Sequence, residues 1–185
     1  MKKCLVLLLA SLVTACASIP LGTLLRFASY DWEDVVATEA SEVRAALLLP
    51  ADVVVDTDSP ALGVELADDN AAPTFTGTAR LALQESRRLV REPLPPADQD
   101  ATWYVFALDD DGISQFRQFQ RRVETLREAG GEPGVTLAVK WRFAQVGERK
   151  TVPVSIWLKL DDAEGWFALA KNAELELGKR HEFSD

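Results

Sequence analysis

The stretch from Val135 to Leu160 has the sequence VTLAVKWRFAQVGERKTVPVSIWLKL, and apolar residues occupy every second position in both of its halves. A period of two is typical of β-strands with one apolar face, because successive side chains of a strand point to opposite sides. The halves match in length, and the linker of residues 146–150 is turn-like around Gly147. We therefore predict an antiparallel hairpin of strands 135–143 and 152–160.

Other strands are predicted from the same alternation, or from short apolar runs that end at turn residues. The clearest covers residues 74–84, where one face is apolar and the other is mostly threonine. Its apolar positions are Phe75, Gly77, Ala79, Leu81 and Leu83. The remaining predicted strands are residues 42–49, 62–66, 103–108 and 166–177.

One long helix is predicted after the aromatic strand 103–108. Its apolar residues recur at steps of three and four, which places them on one stripe: Ile113, Phe116, Phe119, Val123 and Leu126. Asp111 is predicted to cap this helix, and Gly130-Gly131 ends it. A short helix is also predicted from Asp31 to Val36, because acidic residues favour a helix N-terminus.

These elements predict a mainly β protein with one long helix, in the all-β or α+β class. About seven strands and one helix suit a two-layer antiparallel β-sandwich or a partly open barrel with a covering helix. The chain has 185 residues, and the Pro- and charge-rich loop 86–100 is its only candidate internal boundary. Because each half would be small for a separate domain, residues 31–185 are predicted to form a single β-rich domain.

Composition argues against several classes of function. The formal net charge is -9, from 20 basic and 29 acidic residues, whereas nucleic-acid binding needs a basic surface that displaces counterions. One histidine, His181, and two cysteines, Cys4 and Cys16, are too few for a zinc site or a disulfide framework. No serine has G-x-S-x-G surroundings, and no Gly-rich phosphate loop occurs. We therefore predict no metal site, no cofactor and no enzymatic activity.

Two acidic runs leave less favoured alternatives open. Asp109-Asp110-Asp111-Gly112 suggests calcium, but an EF-hand loop needs ligands at alternate positions and a distal glutamate. This run is better explained by the helix that follows it, because negative side chains are favourable at the positive, N-terminal end of a helix dipole. Asp161-Asp162 with Glu164 is interpreted as a solvated turn. No pattern singles out the paired carboxylates that a glycosidase needs.

The N-terminus has the pattern of an export signal. Met1-Lys2-Lys3 is cationic, residues 4–13 are apolar, and small residues precede Cys16. The apolar run is too short for a transmembrane helix, which needs about 20 apolar residues. Leu12-Val13-Thr14-Ala15-Cys16 resembles the lipobox of bacterial lipoproteins, in which the cysteine is acylated and becomes the mature N-terminus. The alternative is ordinary secretory cleavage at Ala15-Cys16-Ala17.

The lipobox resemblance implies a signal peptide of residues 1–15 and a lipid, with acyl chains such as palmitate, on Cys16. Each buried CH2 of such chains contributes about 0.8 kcal/mol, so the membrane anchor is strong. Ala17, in place of aspartate, implies sorting to the outer membrane with the domain in the periplasm. Residues 16–30 are too apolar for a flexible tether and are predicted to be a short membrane-proximal segment that docks on the domain.

A candidate partner surface lies where aromatic and basic residues meet on the predicted hairpin. Alternation places Lys140 and Arg142 on the polar face of one strand, and Trp157 and Lys159 on that of the other. Tryptophan and arginine are enriched in binding hot spots. The alternative is that the helix covers this face and makes it a second core layer. The exposed face of the helix adds a second basic set, Arg117, Arg121 and Arg122, for which a solvated surface is the alternative.

Two hypotheses of function follow. The first is a non-enzymatic, outer-membrane-anchored lipoprotein that binds or supports another protein of the cell envelope. The second is a carrier of lipid or another hydrophobic ligand, because a partly open barrel rich in Leu, Val and Phe can enclose a cavity. A wide apolar cavity would favour the carrier, whereas a packed interior with an exposed aromatic patch would favour partner binding.

Overall fold

The computed structural model describes residues 32–67, 75–84, 94, 100–131 and 134–177. The predicted signal peptide 1–15, Cys16, the membrane-proximal segment 16–30 and His181 lie outside the described residues, as does most of the predicted loop 86–100.

The described residues form two α-helices, one 3-10 helix and nine strands. In chain order these are α1 (Trp32–Ala37), the 3-10 helix (Ala40–Glu42), β1 (Arg44–Pro50), β2 (Val54–Val55), β3 (Ala61–Ala67), β4 (Phe75–Leu83), β5 (Ala101–Leu108), α2 (Asp110–Glu128), β6 (Gly134–Lys140), β7 (Phe143–Gln145), β8 (Thr151–Lys159) and β9 (Phe167–Glu176). Each predicted strand has a counterpart among them, and both predicted helices are present.

Seven of the strands form one antiparallel sheet in the order β6-β3-β4-β5-β1-β8-β9. The sheet curves into a half-barrel, and α2 packs against it, mainly on β4. This architecture confirms the predicted fold class, a mainly β protein with one long helix covering a partly open barrel. β2 and β7 form a separate two-stranded antiparallel sheet.

The hydrophobic core lies between α2 and the face of the sheet that the helix covers. From α2, Phe116, Phe119 and Val123 are at most 1% exposed, and they pack in one cluster with residues of the sheet such as Leu47 and Phe106. The rings of Phe116 and Phe119 lie 6.0 Å apart between centroids. The predicted apolar stripe of the helix is therefore a core surface, as its spacing of three and four residues indicates.

The start of α2 is fixed by contacts with β4. Asp109 is the N-cap: its carboxylate accepts a hydrogen bond of 2.7 Å from the Gly112 backbone N–H and forms an ion pair of 3.3 Å with Arg80. The prediction of Asp111 as the cap is wrong, because the helix begins earlier, at Asp110. The contact with Arg80, distant in sequence, draws the first turn onto the strand.

The predicted hairpin of strands 135–143 and 152–160 is wrong. β6 pairs with β3 over seven residues, and β8 pairs with β1 and β9 instead. A further strand, β7, begins at Phe143, where the first predicted strand was expected to end, and it pairs with β2. Matching lengths and a turn-like linker are local signals, whereas the pairing of β6 is set by burial of its apolar face with that of β3. Strands β3, β4, β5 and β1 consequently separate β6 from β8.

No helix in the described part of the chain is long and apolar enough to cross a membrane.

Candidate functional site

The sheet has a second buried layer on the face opposite the core. Ala46, Val105, Ala107 and Ala168 are each at most 5% exposed, yet none belongs to the core cluster. Strand alternation places these residues on the face opposite Leu47 and Phe106. Three strands, β5, β1 and β9, therefore carry small apolar residues on the face away from α2.

Two half-buried tryptophans stand on this layer. Trp157 of β8 lies opposite Ala46 in the β1 pairing, and Trp103 of β5 lies opposite Leu48. Their rings meet edge to face, with centroids 6.4 Å apart and an interplanar angle of 72°. We call this surface the tryptophan face and define it by Ala46, Leu48, Trp103, Val105, Trp157 and Ala168.

The alternative in which the helix covers Trp157 is wrong. The buried side chains of α2 all belong to the core cluster, which contains neither Trp157 nor Trp103. The sequence prediction that Trp157 points away from the apolar core face of its strand is confirmed. Exposed Lys171 of β9 lies over its ring, with Nζ 5.1 Å from the centroid, in cation–π geometry.

Lys159 lies on the same side of β8, away from the core face as the sequence predicts, but it is buried and adds no exposed cation to the candidate partner surface. Its side chain is 7% exposed, because its Nζ reaches Asp162 Oδ1 at 2.7 Å in the turn that follows the strand. The same Nζ lies 5.8 Å from the centroid of the Trp166 ring. The hydrogen bond and the positive charge of Lys159 lower the pKa of Asp162 below its ordinary value. Lys159 thus holds a turn at one end of the tryptophan face.

At the other end of the tryptophan face lies an open cleft of about 650 Å³. Leu48, which pairs with Trp103 on one side and Ser155 on the other, belongs to both the face and the cleft. Six apolar residues line the cleft together with polar groups; they are Leu48, Leu49, Pro50, Ala51, Ala101 and Pro153. This places a concave region of mixed polarity next to the aromatic surface.

The polar groups of the cleft are held by specific hydrogen bonds. Arg149 donates to both carboxylate oxygens of Asp52, at 2.9 Å from Nε and 2.8 Å from Nη2. Ser155 Oγ donates to Asn172 Oδ1 at 3.3 Å and accepts from the Asn172 backbone N–H at 3.0 Å. Asn172 has a φ of 50°, at the place where the β8–β9 register shifts. A bidentate ion pair and a buried hydroxyl therefore fix the wall of the cleft.

The other predicted members of the partner surface do not join Trp157. Lys140 is exposed at the end of β6, and four strands lie between β6 and β8 in the sheet order. Arg142 forms an ion pair of 3.0 Å with Asp56, and its backbone N–H donates to Ser59 Oγ at 2.8 Å. Arg142 therefore joins the segment before β7 to the turn that follows β2. The proposed surface of Trp157, Lys159, Lys140 and Arg142 is not continuous, because it relied on the β6–β8 hairpin.

The basic residues of the helix have separate environments. Arg117 forms an ion pair of 3.2 Å with Glu39. Two hydrogen bonds from Ser41, and after them the hydrogen bond from Arg117, lower the pKa of Glu39. Arg121 and Arg122 are exposed on the same helix and form no ion pair with the described residues. This arrangement fits a solvated helix surface better than a concentrated patch.

Sequence reasoning missed a cation–π contact that holds α1 on α2. The guanidinium carbon of Arg127 lies 3.3 Å from the centroid of the Trp32 ring, and its Nη1 pairs with Glu33 at 3.2 Å. The amide nitrogen of Gln120 lies 2.7–3.2 Å from three carbonyl oxygens at the end of α1. Both contacts join residues distant in sequence, so no local pattern reveals them.

The acidic runs serve as turn and helix caps. Asp161 Oδ1 accepts hydrogen bonds from the backbone N–H groups of Ala163 and Glu164. Glu42 accepts from the Asp162 backbone N–H at 3.1 Å. Among the residues that the structure describes, no three His, Cys, Asp or Glu side chains are grouped so that they could hold a metal ion.

Comparisons with known proteins give no relative: no protein-family model matches the chain, and neither a curated protein nor a solved structure matches it significantly.

Proposed function

We propose that this protein is a lipid-anchored envelope protein that binds another protein through the tryptophan face. The observation that carries the proposal is the Trp103–Trp157 pair, which stands half-buried on the side of the sheet opposite the core and beside an open cleft. Large aromatic side chains at the centre of a patch are the usual anchors of protein–protein interfaces.

The chemistry of the surface suggests what the partner presents. Exposed Lys171 lies over the Trp157 ring, and a carboxylate of the partner can reach that ammonium while an apolar side chain covers the indole. The cleft beyond Leu48 offers space for one further side chain or a bent segment. We therefore expect an acidic and apolar segment of the partner to cross the tryptophan face toward the cleft.

The carrier alternative has less support. The interior under α2 is filled by side chains such as Phe106, Phe116 and Leu47, each at most 1% exposed. The cleft of about 650 Å³ lies on the other side of the sheet, is open, and contains an ion pair in its wall. A hydrophobic ligand instead needs an enclosed, mainly apolar cavity.

The anchor is part of the proposal and depends on the N-terminal residues. The lipobox-like sequence ending at Cys16 suggests acylation there, in the outer membrane and facing the periplasm. An anchored domain needs no lipid contact of its own to stay at the membrane. Growth with a radiolabelled fatty acid should label the chain and should leave a Cys16→Ala variant unlabelled; incorporation into the variant would refute acylation at Cys16.

The partner-binding proposal can be tested by photocrosslinking in cells. A photoreactive amino acid at Lys171 should give a discrete protein adduct, and Trp157→Ala should weaken the interaction about 30-fold if Trp157 contributes about 2 kcal/mol. Trp141→Ala is the matched control, because Trp141 is also half-buried and edge to face, 6.3 Å from Phe143. An adduct insensitive to Trp157→Ala, or capture of phospholipid alone, would contradict the proposal.

A further inference from the structure

The two edge strands of the seven-stranded sheet, β9 and β6, differ in whether their sequence and geometry prevent a further strand from pairing with them. β9 has register shifts in its pairing with β8, a residue with positive φ at Asn172, and charged side chains at Lys171, Glu174 and Glu176. Bulges and charges of this kind are how natural sheets prevent another strand from adding to an edge. The β9 edge is thus protected.

The β6 edge has no register shift, no residue with positive φ and no charged side chain before its last residue. All seven residues from Gly134 to Lys140 pair with β3 in an unbroken register, and the strand contains no proline. Its one charged residue, Lys140, stands at its end. Within the described part of the chain, β6 pairs with no strand other than β3. The outer side of β6 therefore offers backbone N–H and C=O groups to a further strand.

We propose that β6 is a homodimerisation edge, at which two copies of this chain join antiparallel, β6 to β6, into one continuous sheet. This contact is independent of the tryptophan face, which lies on the opposite half of the sheet, on β5, β1, β8 and β9. A second copy of this chain is the expected occupant, because two β6 strands in antiparallel orientation place compatible side chains opposite each other.

The compatibility is seen when the two-fold axis is placed at Leu137, the central residue of β6. Val135 of one copy then lies opposite Val139 of the other, and Thr136 lies opposite Ala138. Lys140 lies opposite Gly134, so the only charged side chain of the strand avoids its own copy. Like charges directly opposite each other destabilise paired strands, whereas β-branched and apolar pairs stabilise them.

The same register extends the apolar layer of each subunit. Val135, Leu137 and Val139 are half-buried and pack against the core cluster, on one face of β6. In the dimer the exposed part of these three side chains contacts the same three side chains of the second copy. A closed two-fold contact of this kind uses one strand twice, so it needs no further complementary surface and does not continue into a fibre.

Cysteine crosslinking of the full chain, purified in detergent, tests both the dimer and its register. In Leu137→Cys the two new thiols face each other across the axis, within disulfide reach. Val135→Cys is the matched control: its two thiols lie four residues apart along the strands, about 14 Å, which no disulfide can span. Oxidation should give about tenfold more covalent dimer from Leu137→Cys than from Val135→Cys.

Two further measurements complete the test. Mixing Val135→Cys with Val139→Cys chains should restore the covalent dimer, since this register places those residues opposite each other. The unmutated chain gives the background of covalent dimer, and its sedimentation velocity should show a dimer at micromolar concentration. A monomer at all concentrations, or equal crosslinking of Val135→Cys and Leu137→Cys, would overturn the proposal. So would pairing of β6 with a different protein.

Discussion

Gly112 is the residue at which a small change should have a large and calculable effect. It stands in the first turn of α2, where a Cβ would lie 2.1 Å from the carbonyl oxygen of Arg80 and 3.1 Å from its backbone nitrogen. Both contacts are with the backbone of β4, so no side chain can move aside. In Gly112→Ala the first turn must move away from β4 by about 1 Å to reach an acceptable contact.

The cost can be worked from two opposing terms. Overpacking against backbone costs about 3 kcal/mol, the upper part of the usual range. Replacing glycine by alanine in a helix returns about 1 kcal/mol. We therefore expect Gly112→Ala to lower the free energy of unfolding by about 2 kcal/mol. In a chain of this size that corresponds to a decrease in Tm of about 4–8 °C.

Urea unfolding followed by far-UV circular dichroism and tryptophan fluorescence measures this difference. Ser114→Ala is the control, because Ser114 is exposed in the same helix and gains helix propensity without a clash. It should be neutral or stabilising by about 0.5 kcal/mol. If Gly112→Ala were as stable as the unmutated chain, the close approach of α2 to β4 would not limit stability and the reasoning would be refuted.

Two further predictions concern capping and pH. Asp109→Ala should cost about 1–2 kcal/mol, because it removes the cap on Gly112 and the ion pair with Arg80, whereas Asp110→Ala should cost about 0.5 kcal/mol or less in the same unfolding assay. Lys159 lowers the pKa of Asp162 below its ordinary value of 3.8, so the pair stabilises the fold above that pH and this contribution disappears as the pH falls through and below it. Asp162→Asn should reduce the loss of stability on acidification, measured by unfolding at a series of pH values, and an unchanged pH dependence would argue against the pair.

The sequence predicted the elements well because their signals are local. Alternation located β4, β6 and β8, and the spacing of three and four residues located α2. The direction of Trp157 was also predictable, since the side of a strand on which a residue lies depends only on its position relative to its neighbours. The resulting fold class, mainly β with one covering helix, needed no knowledge of which strands pair.

The pairing of strands was not predictable from the same signals. β6 and β8 each have an apolar face of suitable length, and several strands of this chain could match either. The choice of β3 for β6, and of β1 and β9 for β8, moved Lys140 away from Trp157 and brought Trp103 and Lys171 to it. Lys159 is buried because Asp162 and Trp166, which lie in the segment after β8, both approach its ammonium group.

By itself, then, the sequence determined the strands, the long helix, the face of each strand that is apolar, and a lipobox-like N-terminus. The tertiary structure alone decided which elements are neighbours: it produced the tryptophan face, the adjacent cleft, the Asp109 contact with Arg80, and the position of β6 at an edge of the described sheet. The physical reason is that periodicity is encoded by residues next to one another in the chain. Contacts between strands are instead selected by the burial and hydrogen bonding of the whole sheet at once.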